Sequence, residues 1–188
     1  MGWLTTTLIF LPVAGALVVW LVPWQGNGAG SFALLVALAE VAFWIDAVAR
    51  FDFSRPGLQL SEHGSWFTDL HVSYHVGMYG FSLWLVGLTV VVLAASIAYA
   101  FWAGRGRPRA YHGLMLFLTG AIVGVFVAQD LLLFYVFWEA MLIPLYVLIG
   151  VWGGAGRLGA TVKFVVYTMV GSLLMLAAII ENVPACRP

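Results

Sequence analysis

Six apolar stretches, each close to twenty residues long, constrain this chain more than any other feature of its sequence. They run approximately over residues 4–22, 31–49, 81–103, 111–128, 131–150 and 160–180. Crossing about 30 Å of hydrocarbon takes roughly 20 mostly apolar residues at about 1.5 Å each, so each stretch is long enough to span a bilayer as a helix. A composition that is 63% hydrophobic and 9% charged, with a mean hydropathy of +1.02, lies outside the range of soluble domains. The predicted fold class is an all-α integral membrane protein of about six transmembrane helices. Eight basic and eight acidic residues leave no net charge, so neither nucleic-acid binding nor a disordered acidic tail is indicated. Cys186, the single cysteine, excludes an internal disulfide and a cysteine-based metal cluster. The first stretch has no Lys or Arg before it and is read as a retained helix rather than a cleaved signal.

Orientation follows from Lys and Arg in the short connections, because basic residues near helix ends resist translocation. The third connection, "GRGRPRAYHG", holds Arg105, Arg107 and Arg109 without an acid, and the fifth holds Arg157. The long second connection sets Arg50 and Arg55 against Asp52, Glu62 and Asp69, and the fourth contains only Asp130. Odd-numbered connections are therefore expected in the cytoplasm, with the N-terminus and the loop over residues 51–80 outside. Residues 1–110 form a three-helix segment carrying that extracytoplasmic loop, and residues 111–188 begin a second unit. Trp3, Trp24, Trp102 and Trp152 at span ends suit an interfacial belt.

The fifth stretch, "DLLLFYVFWEAMLIPLYVLIG", carries Glu139 near its midpoint. Its twelve Leu, Ile, Phe and Val residues contribute about −5 kcal/mol on an insertion scale, against about +3 for a central charged group. The helix inserts regardless, but that does not explain the glutamate. Burial disfavours the charged carboxylate, so such a group can hold and release a proton near neutral pH. Helical spacing puts Leu132, Tyr135, Val136, Leu142, Ile143 and Tyr146 on its stripe. Pro144 cannot donate a hydrogen bond, which frees the carbonyl of Ala140 for water or a neighbouring helix. Two readings stand side by side: a proton-relay acid beside a hydrated break, or a protonated glutamate bonded across a helix interface with an ordinary kink.

Lys163 lies about one turn inside the last stretch with Tyr167 on the same face. It is either a relay base or, as its shallow depth favours, a side chain that snorkels to the interface. Glu40 sits deep in the second stretch and poses the Glu139 question again less specifically, whereas Asp46 and Arg50 read as a helix-end ion pair. Gly120 and Gly124 indicate close helix packing. His63, His71, His75 and His112 lie in the loop or at span ends and are read as solvated rather than metal- or haem-binding.

The run "VGVFVAQDLLLFYVFWEAMLIPLYVLIGVWGG" followed by "ATVKFVVYT" resembles the antiporter-like proton-pumping subunits of NADH:quinone oxidoreductase (complex I), the M-type subunit most closely. The resemblance rests on Asp130, Leu131, Phe134, Phe137, Trp138, Glu139, Pro144, Tyr146, Trp152 and Gly153, then Lys163, Phe164, Tyr167 and Thr168, with "SYHVGMYGFSLWLV" upstream similar to a further family signature. Tyr79 and Gly154 depart from the pattern, which usually has aspartate and histidine there. The resemblance implies that Glu139 is an essential protonatable residue working with a lysine on a seventh helix, within a fold of about fourteen helices. It implies that residues 111–188 open the proton-translocating domain; the ending "ENVPACRP" breaks off a hydrophobic pattern and resembles no segment of the family, which suggests a fragment, a premature stop or a shifted frame. No cofactor is expected on this chain; NADH, FMN, iron–sulfur clusters and quinone would belong to other subunits. Expected partners are other membrane subunits of complex I, the bilayer and protons, at a bacterial inner (plasma) membrane. Multisubunit cation/proton antiporters share the glutamate and the fold, and a truncated membrane protein that translocates nothing is the remaining alternative.

Overall fold

The computed structural model describes residues 3–67, 72–104 and 106–182. Asp69, His71, Arg105, Cys186 and the other residues of "ENVPACRP" after Asn182 lie outside them. Six helices occupy the six apolar stretches: α1 Leu4–Leu21, α2 Gly28–Arg50, α3 Gly80–Trp102, α4 Pro108–Val127, α5 Leu131–Trp152 and α6 Arg157–Asn182. All six are long and apolar enough to cross a membrane. Helices α2, α4 and α6 each start three residues earlier than hydropathy indicates. At α4 the reason is local, because Pro108 occupies the first turn, where its missing N–H costs nothing.

Helix α4 is the hub. It packs against α1, α2, α3 and α5, while α6 packs on α5. Glycines permit the closest approaches: a Cβ on Gly120 would stand 2.6 Å from the Ile9 carbonyl oxygen, and one on Gly124 would stand 2.4 Å from the Phe137 ring. The small-residue pair of α4 thus packs one helix on each side.

The loop read over residues 51–80 contains an antiparallel hairpin, β1 Gln59–Phe67 and β2 Val72–Met78. The connection expected as an extramembrane loop thus carries regular structure of its own. In β2, Tyr74, Val76 and Met78 alternate with His75 and Gly77, a period of two that marks a half-buried strand. Val76 and Met78 are fully buried in the same core as Leu8, Leu83 and Val127. The hairpin is therefore a docked part of the fold. Gln129 donates its backbone N–H to the His75 carbonyl at 2.9 Å, which ties the α4–α5 connection to β2.

Helix α1 has no side-chain cap from its own flank. Glu62 of β1 supplies one: its carboxylate accepts from the backbone N–H of Thr5 at 2.8 Å and of Thr6 at 3.3 Å, and from the Thr6 hydroxyl, which also meets Tyr74 Oη at 2.8 Å. A carboxylate at a helix N-terminus satisfies orphan donors and complements the helix dipole. At the opposite end, Arg109 donates to the Trp20 carbonyl at 2.8 Å and Trp152 Nε1 donates to the Gly106 carbonyl at 3.1 Å. The first, third and fifth connections thus share one end of the bundle, and the N-terminus shares the other with the hairpin and Asp130.

Candidate functional site

Asp130 starts the helix that carries Glu139. Its side chain accepts from the backbone N–H of Leu132 at 2.8 Å and of Leu133 at 3.1 Å, an N-cap of the ordinary kind. Nine residues on, Glu139 emerges toward α6. One of its carboxyl oxygens, Oε1, is buried without a hydrogen-bond partner. The Tyr135 hydroxyl, one turn earlier, interacts with both the Glu139 carboxyl and the Ser172 hydroxyl of α6.

The pairing of α5 with α6 explains why Ser172 is there. The helices run antiparallel, and Gly150 of α5 lies against Thr161, whose Oγ1 is 3.6 Å from the position a Cβ would take. Eleven residues back along α5 and eleven forward along α6 bring Glu139 level with Ser172. Thr161 and Ser172 are buried, and Thr168 lies between them on the same face, each hydroxyl bonding to a carbonyl of its own helix. The acid therefore faces a hydroxyl-bearing stripe. Sequence reasoning passed over Ser172; the i, i+4 spacing of Thr168 and Ser172 was the available signal.

Of the two tyrosines expected to bracket Glu139, the structure joins only Tyr135 to it, while Tyr146 is 49% exposed on the outer face of the bundle. Lys163 is not brought to the acid. It lies nine residues from Ser172 along α6, about 13 Å and two and a half turns, so it faces the opposite side of that helix. Lys163 is exposed there beside Tyr167, itself 78% exposed. Pro144 is buried within an unbroken α5.

The Asp46–Arg50 pair forms, with Arg50 Nε 2.8 Å from Asp46 Oδ2. His63 and His75 are cross-strand partners whose rings stack at 4.0 Å. His112 corrects the solvated reading. It is 1% exposed in the first turns of α4, with Nδ1 2.7 Å from the Pro108 carbonyl and Nε2 buried without a partner. Among the described residues, no group of three or more His, Cys, Asp or Glu side chains is arranged to hold a metal.

A bundle of six span-length apolar helices, with a half-buried ionisable side chain between two of them, defines a polytopic membrane protein. Residues 128–182, the Glu139 helix with α6, match the family described as NADH:quinone oxidoreductase/Mrp antiporter, TM. The chain is homologous to the antiporter-like membrane subunits of complex I. It is 40% identical over 175 residues to NAD(P)H-quinone oxidoreductase chain 4 of Gloeobacter violaceus, an alignment covering 93% of this chain and 32% of that one. A chain of respiratory complex I from Thermus thermophilus superposes with a TM-score of 0.74 at 30% identity, covering 93% of this chain and 34% of that one. The Mrp complex of Dietzia sp. has the same fold, with a TM-score of 0.75 at 20% identity over 93% of this chain and 19% of that one. The chain spans about a third of the length of the curated relatives it matches.

Proposed function

We propose that this chain carries part of the proton path of a membrane subunit of an NADH:quinone oxidoreductase, with Glu139 as its proton-handling group. One observation supports this above the others: a mid-span glutamate keeps one carboxyl oxygen, Oε1, buried without a partner, while its carboxyl group meets a tyrosine hydroxyl that reaches a serine on the next helix. A purely structural glutamate would be expected to close its hydrogen bonds, because an unsatisfied buried polar atom costs about 1–3 kcal/mol. A group left open instead can exchange a proton with water or with a neighbour. The chain contributes no redox chemistry in this reading; NADH, FMN, iron–sulfur clusters and quinone lie on other subunits of a complex in the bacterial inner membrane. The N-terminus and hairpin face outward, and Lys163 plays at most an interfacial part.

In the complete, assembled complex, Glu139→Gln should remove most of the proton pumping linked to quinone reduction while assembly is unaffected, and Glu139→Asp should retain some of it. Pumping at the parental rate in the Gln variant would take Glu139 out of the mechanism. The family description covers the cation/proton antiporter reading as well. Sodium-driven proton exchange in vesicles, without any quinone dependence, would select it.

A further inference from the structure

Glu40 lies at the middle of α2 and is 1% exposed, and neither of its carboxyl oxygens has a hydrogen-bond partner. Helix α2 packs against α1, α3 and α4. The first carries no titratable side chain. Helix α3 offers only Tyr99, which is 57% exposed, and α4 offers Arg109, Tyr111 and His112. On α2 itself, Asp46 and Arg50 are engaged with each other near the helix end. No charge therefore faces Glu40, and the neutral acid is the form the site accommodates.

Two further polar groups lead toward it. Gly15 of α1 packs on Val36, with 2.9 Å between its Cβ position and Cγ1. Four residues on along α2 and four back along α1 set Glu40 beside Leu11 and Pro12. Pro12 has no N–H to give the Leu8 carbonyl, so an acceptor without its helical donor lies within a turn of Glu40's depth. At the other end, a Cβ on Gly30 would stand 3.4 Å from His112 Nε2. Nδ1 of His112 donates to the Pro108 carbonyl, which leaves Nε2 of the neutral ring a buried acceptor. Gly30, Ala33, Ala37 and Glu40 share one stripe of α2, about 15 Å from the level of Gly30 to the acid; its own side chains are small, and the Phe101 ring of α3 stands beside His112 at the Gly30 end, 2.7 Å from the Cβ position.

We propose that Glu40 is a second intramembrane proton-binding site, separate from Glu139, reached by water entering between α2 and α4 from the His112 end along the Gly30–Ala33–Ala37 stripe. Water is the ligand that such unpartnered polar atoms accept, and a proton is what the carboxyl exchanges with it. The proposal does not rest on the role of Glu139.

The test is infrared difference spectroscopy of the 188-residue chain in phospholipid vesicles on transfer from H2O to D2O. The carbonyl band of a buried carboxylic acid should vanish in Glu40→Gln and persist in Glu139→Gln; Glu40→Asp, which shifts the band, assigns it independently if the Gln variant does not fold. The band should respond to D2O on the order of tenfold faster than the protected helix amides, whose exchange waits for local opening. His112→Phe should slow that response severalfold with the amide spectrum unchanged. A Glu40 band that exchanges no faster than those amides, or the lack of any protonated band assignable to Glu40, overturns the site. A response indifferent to His112→Phe overturns the route.

Discussion

At the scale of single residues, Glu62 links the extramembrane hairpin to the first span. It gathers two backbone donors and a hydroxyl of α1, so Glu62→Ala should cost about 2 kcal/mol, within the range for losing a charged N-cap together with charge-assisted hydrogen bonds. Thermal unfolding in detergent, followed by circular dichroism, reads this as a lower Tm. An unchanged Tm would mean that α1 finds another cap. Glu62 as a cap was not legible, because the capped donors lie 57 residues away in the chain. Asp130, by contrast, announces itself: an aspartate directly before an apolar run is a local N-terminal signal.

At the scale of elements, the hairpin carries a pH dependence. Burial, followed by the proximity of His63, holds the His75 pKa below its ordinary 6.5, while Asp130 pulls it partly back. The folded state thus binds this proton less tightly than the unfolded chain does. The contribution of His75 to stability is present above pH 6.5 and is lost as pH falls from there through the lowered folded value. Docking of the hairpin should weaken on acidification, and His63→Gln should raise the His75 pKa, as NMR titration of the ring would show; a lower or unchanged value would exclude coupling between the rings. Between helices, a methyl on Gly120 would stand 2.6 Å from both the Ile9 backbone oxygen and Val13 Cγ2, and the backbone oxygen cannot turn aside. Gly120→Ala should therefore destabilise the α1–α4 contact by about 1–3 kcal/mol, the usual range for overpacking, read again as Tm, and a neutral result would show that the helices separate freely.

At the scale of the whole molecule, the connections segregate to two ends of the bundle; Arg107, Arg109 and Arg157 mark one of them, whereas Arg50 and Arg55 at the other are paired with Asp46 and Asp52. A cysteine placed at Arg107 should be labelled by an impermeant reagent only from the cytoplasmic side, and one at Ser61 only from outside; the reverse pattern would invert the orientation. The six helices in vesicles under a pH gradient should pass no protons beyond the leak of empty vesicles. Glu139 lies against the Ser172 side of α6 while Lys163 faces the opposite side, so this acid and this base do not hand a proton to each other. Flux abolished by Glu139→Gln would contradict that.

The sequence by itself determined the number of spans, their ends to within about three residues, the depth of Glu139 and Glu40, and the contact at Gly120 and Gly124. All of these are written along one dimension, as hydropathy, as the position of a residue in a run, or as small-residue spacing. Only the tertiary structure decided how each helix is rotated about its axis and how neighbours are staggered. That rotation put Ser172 rather than Lys163 beside the Tyr135–Glu139 pair, turned Tyr146 outward, buried His112 and left Glu40 without company. Lipid outside a span is as apolar as the protein inside it, so hydropathy along a transmembrane helix carries little information about which side faces in. Close packing between helices makes that choice, and it becomes visible only once the helices are together.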